Sequence, residues 1–138
     1  MGKTYKFSCH TICGESVEGE ALISPEAICF YMMNYEKGII NEDNHALAGQ
    51  SIKDKILVLP SGKGSSVLQD EGLYALKKYK SGPKGIVVQS SDTVLIAAAI
   101  VMDIPLFDRV DHGFYDIVEN GDEIRVDAGL QTLFINKC

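Results

Sequence analysis

A glycine- and serine-rich loop, PSGKGSS at residues 60–66, separates the apolar segment KILVL from an amphipathic segment. Gly62 and Gly64 allow the backbone to approach a ligand closely, and Lys63 adds a positive charge. Free amides and the positive end of the helix dipole gather where a helix begins. The loop therefore suits a small anionic molecule, either a carboxylate or a phosphate.

A simpler account of the same loop stays open. Ser66 and Gln69 match a capping box at a helix start, and a glycine turn followed by that cap would explain the segment without any ligand. A nucleotide P-loop is excluded, because Gly64 follows Lys63 where that motif needs Ser or Thr.

A second polar loop, QSSDT at residues 89–93, also follows an apolar segment. Its Ser90, Ser91 and Asp92 either cap the next helix or line the same pocket, and the residue types favour capping. His45 and His112 lie in polar segments, and nothing in the sequence shows that a serine, a histidine and an acid converge.

The four cysteines do not form a pattern with metal-ligand spacing. Cys9, His10 and Cys13 are close in the segment CHTIC, but no second pair is spaced to complete a tetrahedral site. In an extended segment Cys9 and Cys13 point to one face and His10 to the other. We expect the thiols to be small buried hydrophobic groups and predict no metal site in this chain.

Hydrophobic periodicity predicts an α/β protein. The apolar segments KILVL, GIVVQ and IPLF predict three buried strands, and helical spacing at residues 68–79 and 92–102 places a helix after each of the first two. Continuous apolar strands joined by helices indicate parallel pairing.

The two ends of the chain are rich in predicted strands. TYKFSCHTI, SVEGEALI, FYDIV and IRVDAGLQTLFI are β-prone, and ENGDE predicts a turn. EAICFYMMNY fits a strand or a helix, and residues 36–52 predict an exposed loop. The predicted architecture is a three-strand parallel α/β centre flanked by β-rich, barrel-like ends.

Size and charge limit the classes of function. The chain has 138 residues, which we expect to form a single domain over residues 1–138. A net charge of −6 and a pI near 5.0 disfavour nucleic acid and anionic membranes as partners. No apolar run is long enough to cross a bilayer, and the first residues lack the apolar core of a signal peptide, so we expect a cytoplasmic protein.

Several segments together resemble a known family. VEGEALIS, NHALAGQSIKDKILVLPSGKGSS, GPKGIVV, DIPLF and NGDEIRVDA follow, in order, the pattern of the aconitase X small subunit. That family is the swivel domain of the aconitase superfamily, and its relatives include the small subunit of archaeal phosphomevalonate dehydratase. The stretch from His45 to Ser66 is the most specific part of the resemblance.

The resemblance implies a swivelling β/β/α fold and a hydro-lyase of two chains. The large subunit would carry an iron–sulfur cluster, with no cofactor in this chain, and the complex would dehydrate a hydroxylated carboxylic acid such as 5-phosphomevalonate or a 3-hydroxyproline. In the wider superfamily a Gly-Ser-Ser loop supplies a serine as the catalytic base. The matching residue here is Ser65, with Gly62, Lys63, Gly64 and Ser66 as substrate-binding neighbours.

The sequence departs from the family pattern in two places. Where the family shows Ser-Phe-x-Gly-Gly, an aliphatic residue and Asp, this chain has Cys29, Met32, Met33 and Tyr35 in place of the Ser, the two Gly and the Asp. Val67 stands where aconitase proper has a substrate-binding arginine. The alternative function is therefore a noncatalytic small-molecule-binding or regulatory domain that keeps the fold. An enzyme acting alone is disfavoured, since the chain has no evident base–acid pair.

Overall fold

The computed structural model describes residues 2–62 and 66–137, and the side chains of residues 66–70 lie outside that description. Its helices and strands follow one another in this order: β1 (Lys3–Ser8), β2 (His10–Cys13), β3 (Val17–Ile23), β4 (Met33–Asn34), β5 (Ile39–Ile40), β6 (Lys55–Ser61), α1 (Ser66–Lys78), β7 (Gly85–Ser90), α2 (Thr93–Met102), β8 (Leu106–Asp108), α3 (Gly113–Ile117), β9 (Glu123–Asp127) and β10 (Thr132–Lys137).

One eight-stranded mixed sheet organises these elements, in the order β1-β10-β9-β3-β6-β7-β8-β2. The neighbours β3, β6, β7 and β8 run parallel, and the other pairs are antiparallel. The parallel centre predicted from the sequence is confirmed and is one strand wider, because β3 joins it.

The sheet curls until its two ends meet. β1 and β2 lie at opposite ends of the strand order, yet Cys9 alone separates them in the chain. The Cys9 amide donates to the Gln131 carbonyl at 3.0 Å, and the Thr11 amide donates to the Gln131 side chain at 3.1 Å. A single extended segment therefore closes the sheet into a barrel, as the β-rich ends predicted.

Alternating side chains of the parallel strands build two cores. In β6, Ile56 and Val58 belong to a cluster inside the barrel, whereas Leu57 and Leu59 pack with α1 and α2 on the other face. We call these the barrel cluster and the helix cluster. Strands buried on both faces explain the continuous apolar pattern of KILVL and GIVVQ.

The segment FYDIV forms a helix, so the strand predicted there is wrong. α3 places Phe114, which is fully buried, and Val118 in the barrel cluster. Phe7 packs edge-on against Phe114, with ring centroids 5.8 Å apart. Phe114 and Val118 are four residues apart and so share a helix face, a spacing that fits strand alternation equally well.

Residues 36–52 are not the exposed loop that their polar composition predicted. Ile40, Leu47 and Ile52 are buried in the helix cluster. His45 is buried as well: its Nδ1 accepts from the Leu47 amide at 3.0 Å, so Nε2 carries the proton and donates to the Ala27 carbonyl, also at 3.0 Å. This histidine is therefore a structural link between two loops.

The segment EAICFYMMNY is largely irregular, with only the two residues of β4 in a strand. Phe30 and Met33 are buried, whereas Tyr31 and Met32 are 44% and 43% exposed. The backbone of Phe30 lies directly against Gly72 of α1, where a Cβ atom would overlap the Phe30 carbonyl group. Gly72 thus allows this segment to lie against α1.

None of the helices in the described part of the chain has both the length and the apolar character needed to cross a bilayer.

We predict that Gly72→Ala destabilises the protein, although alanine is the better helix former by about 1 kcal/mol. The new methyl group must displace the Phe30 backbone, and overpacking of this kind costs about 1–3 kcal/mol. Urea unfolding followed by circular dichroism would measure the loss.

Gly129→Ala is the matched control. A Cβ atom added at Gly129 would lie 3.6 Å from the nearest atom, an Asp127 carboxylate oxygen, which is an ordinary contact. That change should alter the free energy of unfolding by no more than about 0.5 kcal/mol. Equal stability of the two variants would contradict the tight contact at Gly72.

Candidate functional site

The carboxyl ends of the parallel strands gather the polar loops singled out from the sequence. β6 ends at Ser61 and β7 at Ser90, and these two residues are register partners. β8, the next strand, ends at Asp108. Ligands of parallel α/β sheets bind at this edge, which we call the carboxyl edge.

Gly62, the first residue after β6, lies against the second polar loop. A Cβ atom at Gly62 would overlap the carboxylate of Asp92, so no larger residue fits without displacing that side chain. The loop before α1 and the loop before α2 thus restrict each other's position. A glycine at position 62 lets the Asp92 carboxylate keep this position.

Asp92 caps α2, as the residue types of QSSDT predicted. Its backbone is extended, with φ −129° and ψ 161°, and its Oδ1 accepts from the Leu95 amide at 2.8 Å. The capping interaction uses one carboxylate oxygen, while the other faces Gly62. α2 therefore begins beside the glycine loop.

The centre of the glycine loop, Lys63 to Ser65, lies outside the described residues. α1 begins at Ser66, so the first backbone amides of this helix lie at the carboxyl edge. These amides have no partner within the helix and face its N-terminal end. The roles predicted for Lys63, Gly64, Ser65 and Ser66, including the Ser66 cap, remain predictions.

The structure also gathers a polar cluster that the sequence did not reveal. Asp108, which is 8% exposed, accepts a hydrogen bond from Ser91 Oγ at 3.3 Å, and its other oxygen lies 2.7 Å from His10 Nδ1. The carboxylate stands between the serine and the imidazole, whereas a catalytic triad needs the imidazole between the other two groups. The cluster fixes the end of β8 to β2 and to the second loop.

Sequence signals for this cluster were weak because its members are far apart in the chain. His10 and Asp108 are separated by 98 positions and meet only because β2 pairs with β8. The sequence suggests His10 only as a possible metal ligand, and it gives no role to Asp108, which follows the predicted strand IPLF.

The predicted orientation of the two N-terminal cysteines is wrong. The register of β2 shifts between Thr11 and Cys13, so Cys9 lies in the barrel cluster and Cys13 packs against the helix cluster. Burial, followed by the negative charge of Asp108, raises the pKa of the Cys9 thiol to about 11. Burial also raises the pKa of the Cys13 thiol. Cys9 is thus buried as expected, whereas Cys13 is only partly buried.

The cysteines of the described residues do not fit an iron–sulfur cluster. Such a cluster needs several thiolates around one centre, but Cys9 and Cys13 face different cores and favour their protonated form. Within residues 2–62 and 66–137 no three His, Cys, Asp or Glu side chains are grouped as metal ligands.

A cleft opens along the carboxyl edge on the barrel side. It consists of two adjoining cavities of about 390 Å³ and about 170 Å³ that share Gln89 and Tyr115. The smaller cavity reaches Pro60, shortly before the glycine loop, and the larger one reaches Arg109 and His112. We call the two together the edge cleft. His112 is exposed there and makes no side-chain capping bond to α3.

Curated relatives match nearly the full length of the chain. The phosphomevalonate dehydratase small subunit of Methanococcoides burtonii is 39% identical over 126 residues, covering 91% of each chain. The protein of the same name from Thermococcus kodakarensis is 39% identical over 124 residues, covering 89% of this chain and 90% of its own.

Solved structures show the same fold. The crystal structure of Thermococcus kodakaraensis aconitase X in its holo form superposes with a TM-score of 0.84 at 37% identity, over 95% of this chain and 98% of that one. A UPF0107 protein solved by NMR in solution gives a TM-score of 0.81 at 35% identity, over 94% and 97% of the two chains.

The family model of the aconitase X swivel domain matches residues 6–135. The glycine loop and the four parallel strands beside it fall within that match, as does most of the barrel formed by both ends of the chain. The chain belongs to the aconitase X swivel-domain family.

Proposed function

We propose that this chain is the small subunit of a two-chain hydro-lyase that dehydrates a phosphorylated hydroxy acid of the phosphomevalonate type, with Ser65 as the base. The observation that carries the proposal is the position of the residues on either side of the centre of the glycine loop. Gly62 and Ser66 both lie at the carboxyl edge, where the backbone amides that open α1 are available to an anion.

The names of the relatives favour this substrate over a 3-hydroxyproline. The curated relatives compared above are called small subunits of phosphomevalonate dehydratase and are matched along 90% or more of their length. A small subunit requires a large one, so we assign the remainder of the active site to a large partner subunit.

The reaction removes a proton from one carbon and a hydroxyl group from its neighbour, leaving a double bond and water. A serine hydroxyl takes up a carbon-bound proton only as an alkoxide, which needs strong stabilisation. Donors fixed before the reaction, such as the amides at the start of α1, are worth a few kcal/mol each at an anionic oxygen. The Lys63 ammonium group would add to this stabilisation.

Asp92 is a negative charge close to this loop and would oppose an alkoxide. Its Oδ1 is engaged with the Leu95 amide at the positive end of α2, which offsets that charge. The same contact holds the second loop against Gly62. Asp92 thus shapes the glycine loop without needing to take part in the proton transfer.

The leaving hydroxyl group needs a Lewis acid, which an iron–sulfur cluster of the large subunit would supply. We place the cluster there because the described cysteines of this chain do not fit one. The residues of this chain would then bind the substrate and take the proton.

The alternative function, a noncatalytic ligand-binding or regulatory domain, is favoured by the segment that departs from the family pattern. Cys29, Met32, Met33 and Tyr35 occupy the altered positions, and Gly72 brings this segment onto α1 only a few residues beyond Ser66. Larger side chains beside the loop would change which molecule it accepts. Activity of the assembled complex separates the two functions.

We assign the docking of the large subunit to the helix side of the fold. α2 contains no charged residue, and its outer residues Ile100 and Val101 are 57% and 75% exposed. The other exposed large hydrophobic side chains on this side are Tyr31, Met32, Tyr74 and Tyr79. Both helices begin at the carboxyl edge, so a subunit that covers them also reaches the loop that it must complete.

We predict that Ser65→Ala lowers the kcat of the reconstituted complex by about 10²- to 10⁴-fold, the usual contribution of a positioned base. KM should change little, because the lost oxygen acts in the transition state. Steady-state assays with 5-phosphomevalonate would measure both constants.

Ser66→Ala is the comparison variant. It should retain most of the activity and lose about 1 kcal/mol of stability through the missing cap. Near-normal turnover by Ser65→Ala together with an inactive Ser66→Ala would show that Ser66, and not Ser65, is the base. If neither change matters, the loop is a turn and the noncatalytic alternative gains support.

We predict that Met32→Glu weakens association with the large subunit by at least tenfold while the chain stays folded, because a charge would be buried in an apolar contact. Isothermal titration of one subunit with the other would measure the affinity.

Leu130→Glu is the matched control, since Leu130 is 73% exposed in the turn between β9 and β10. Met33→Glu should instead lower the stability of the chain itself, because Met33 is buried. Equal affinities of Met32→Glu and Leu130→Glu would contradict docking on the helix side.

We also predict that the purified chain is colourless and free of bound iron and sulfide, whereas the assembled complex contains both. Iron and acid-labile sulfide analysis of each preparation would test this. Stoichiometric iron in the isolated chain that disappears in Cys9→Ala or Cys13→Ala would refute it.

A further inference from the structure

The edge cleft runs from Pro60, at the start of the glycine loop, to Arg109. Its smaller cavity includes Pro60 of β6, and its larger cavity includes Arg109, which directly follows β8. Gln89 and Tyr115 are common to both cavities, so one continuous surface runs between the two ends. A molecule whose reacting carbons lie at the loop can extend along this surface towards Arg109.

Arg109 is exposed and forms no ion pair with any side chain that the structure describes. Its backbone is left-handed, with φ +50°, a conformation that costs energy in a residue with a Cβ. Strained backbone of this kind is concentrated at functional sites.

Neither of the two acids nearest in sequence forms an ion pair with Arg109. Asp108 is held by Ser91 and His10. Asp111, which also lines the larger cavity, accepts from the Gly113 amide at 3.4 Å. The Arg109 guanidinium therefore keeps its donors available beside the imidazole of His112 and the amide of Gln89.

The wall between the two cavities contains an unsatisfied donor. The hydroxyl of Tyr115 is buried and has no hydrogen-bond partner within the described residues. Burial, followed by the charge of Asp108, raises the pKa of Tyr115 to about 12, so the phenol stays protonated at neutral pH. A buried donor without an acceptor is costly.

We infer that the edge cleft binds the phosphate end of the substrate, with the Arg109 guanidinium as its principal ligand and Gln89 and His112 as additional donors. The inference rests on the proposed function, because the names of the relatives supply the phosphate group. A planar guanidinium suits the bidentate recognition of phosphate oxygens. The cleft thus sets which hydroxy acid is accepted, and the glycine loop acts on it.

The test uses the complex reconstituted with its large subunit and 5-phosphomevalonate as substrate. Arg109→Gln should raise KM by about tenfold to a hundredfold and leave kcat within about twofold, since it removes binding that the ground state and transition state share. Arg109→Lys, which keeps the charge without the planar fork, should give an intermediate KM. Inorganic phosphate should inhibit the native complex competitively and the Arg109→Gln complex far less.

Arg125→Gln is the matched control. Arg125 stacks on the Phe134 ring at 4.1 Å and lies on β9, away from the cleft. The Arg125→Gln complex should have the same KM and the same inhibition by phosphate as the native complex. Equal kinetics of Arg109→Gln and Arg125→Gln would overturn the inference and leave the proposed function intact. Loss of subunit assembly in Arg109→Gln, measured by gel filtration, would also overturn it, because Arg109 would then contact the large subunit.

A second measurement does not depend on turnover. The ¹⁵N-labelled full chain is titrated with inorganic phosphate, with chloride at equal ionic strength as the reference. Saturable shifts at Gln89 and at residues 109–115 that vanish in Arg109→Gln would support the subsite even if the native complex does not dehydrate 5-phosphomevalonate. A native complex that does not dehydrate 5-phosphomevalonate would refute the proposed function but not the phosphate subsite. Shifts spread over the surface, or none, would refute the phosphate subsite.

Discussion

The structure depends on strands that are buried on both faces. Each of the central parallel strands sends alternate side chains into the barrel cluster and the helix cluster, so a shift of one residue would exchange the two cores. This constraint fixes the register of β6 against β7 and therefore places Ser61 opposite Ser90. The two polar loops lie side by side because the apolar residues before them leave no other register.

The contact between Gly62 and Asp92 follows from that register. Asp92 caps the N-terminus of α2 with one carboxylate oxygen. Its second oxygen occupies the space beside Gly62. Gly62 is the only residue type that fits there without movement. Sequence alone explained Gly62 by its backbone freedom, but the structure explains it by the lack of space for a side chain. Capping, sheet register and loop geometry are one connected arrangement.

Local patterns predicted much of the fold, and long-range pairing accounts for what they missed. The continuous apolar runs of β6 and β7 and the cap at Asp92 were visible in the sequence because each depends on neighbouring residues. The Asp108–His10 contact was not, since it requires β2 to return beside β8. FYDIV was ambiguous because residues four apart share a face in a helix and in a strand. The register shift in β2 left no local signal and moved Cys13 to the other core.

The helix side of this chain has an apolar outer surface. Ala98 and Ala99 are small, so α2 lies close to the sheet, and Leu95 completes the buried face. Ile100 and Val101 then point away from the core, where burial within this chain is impossible. An isolated protein gains nothing from an outer helix face without a single charge. In the proposed complex the large subunit would cover this face, and it would also reach the glycine loop because both helices start at the carboxyl edge.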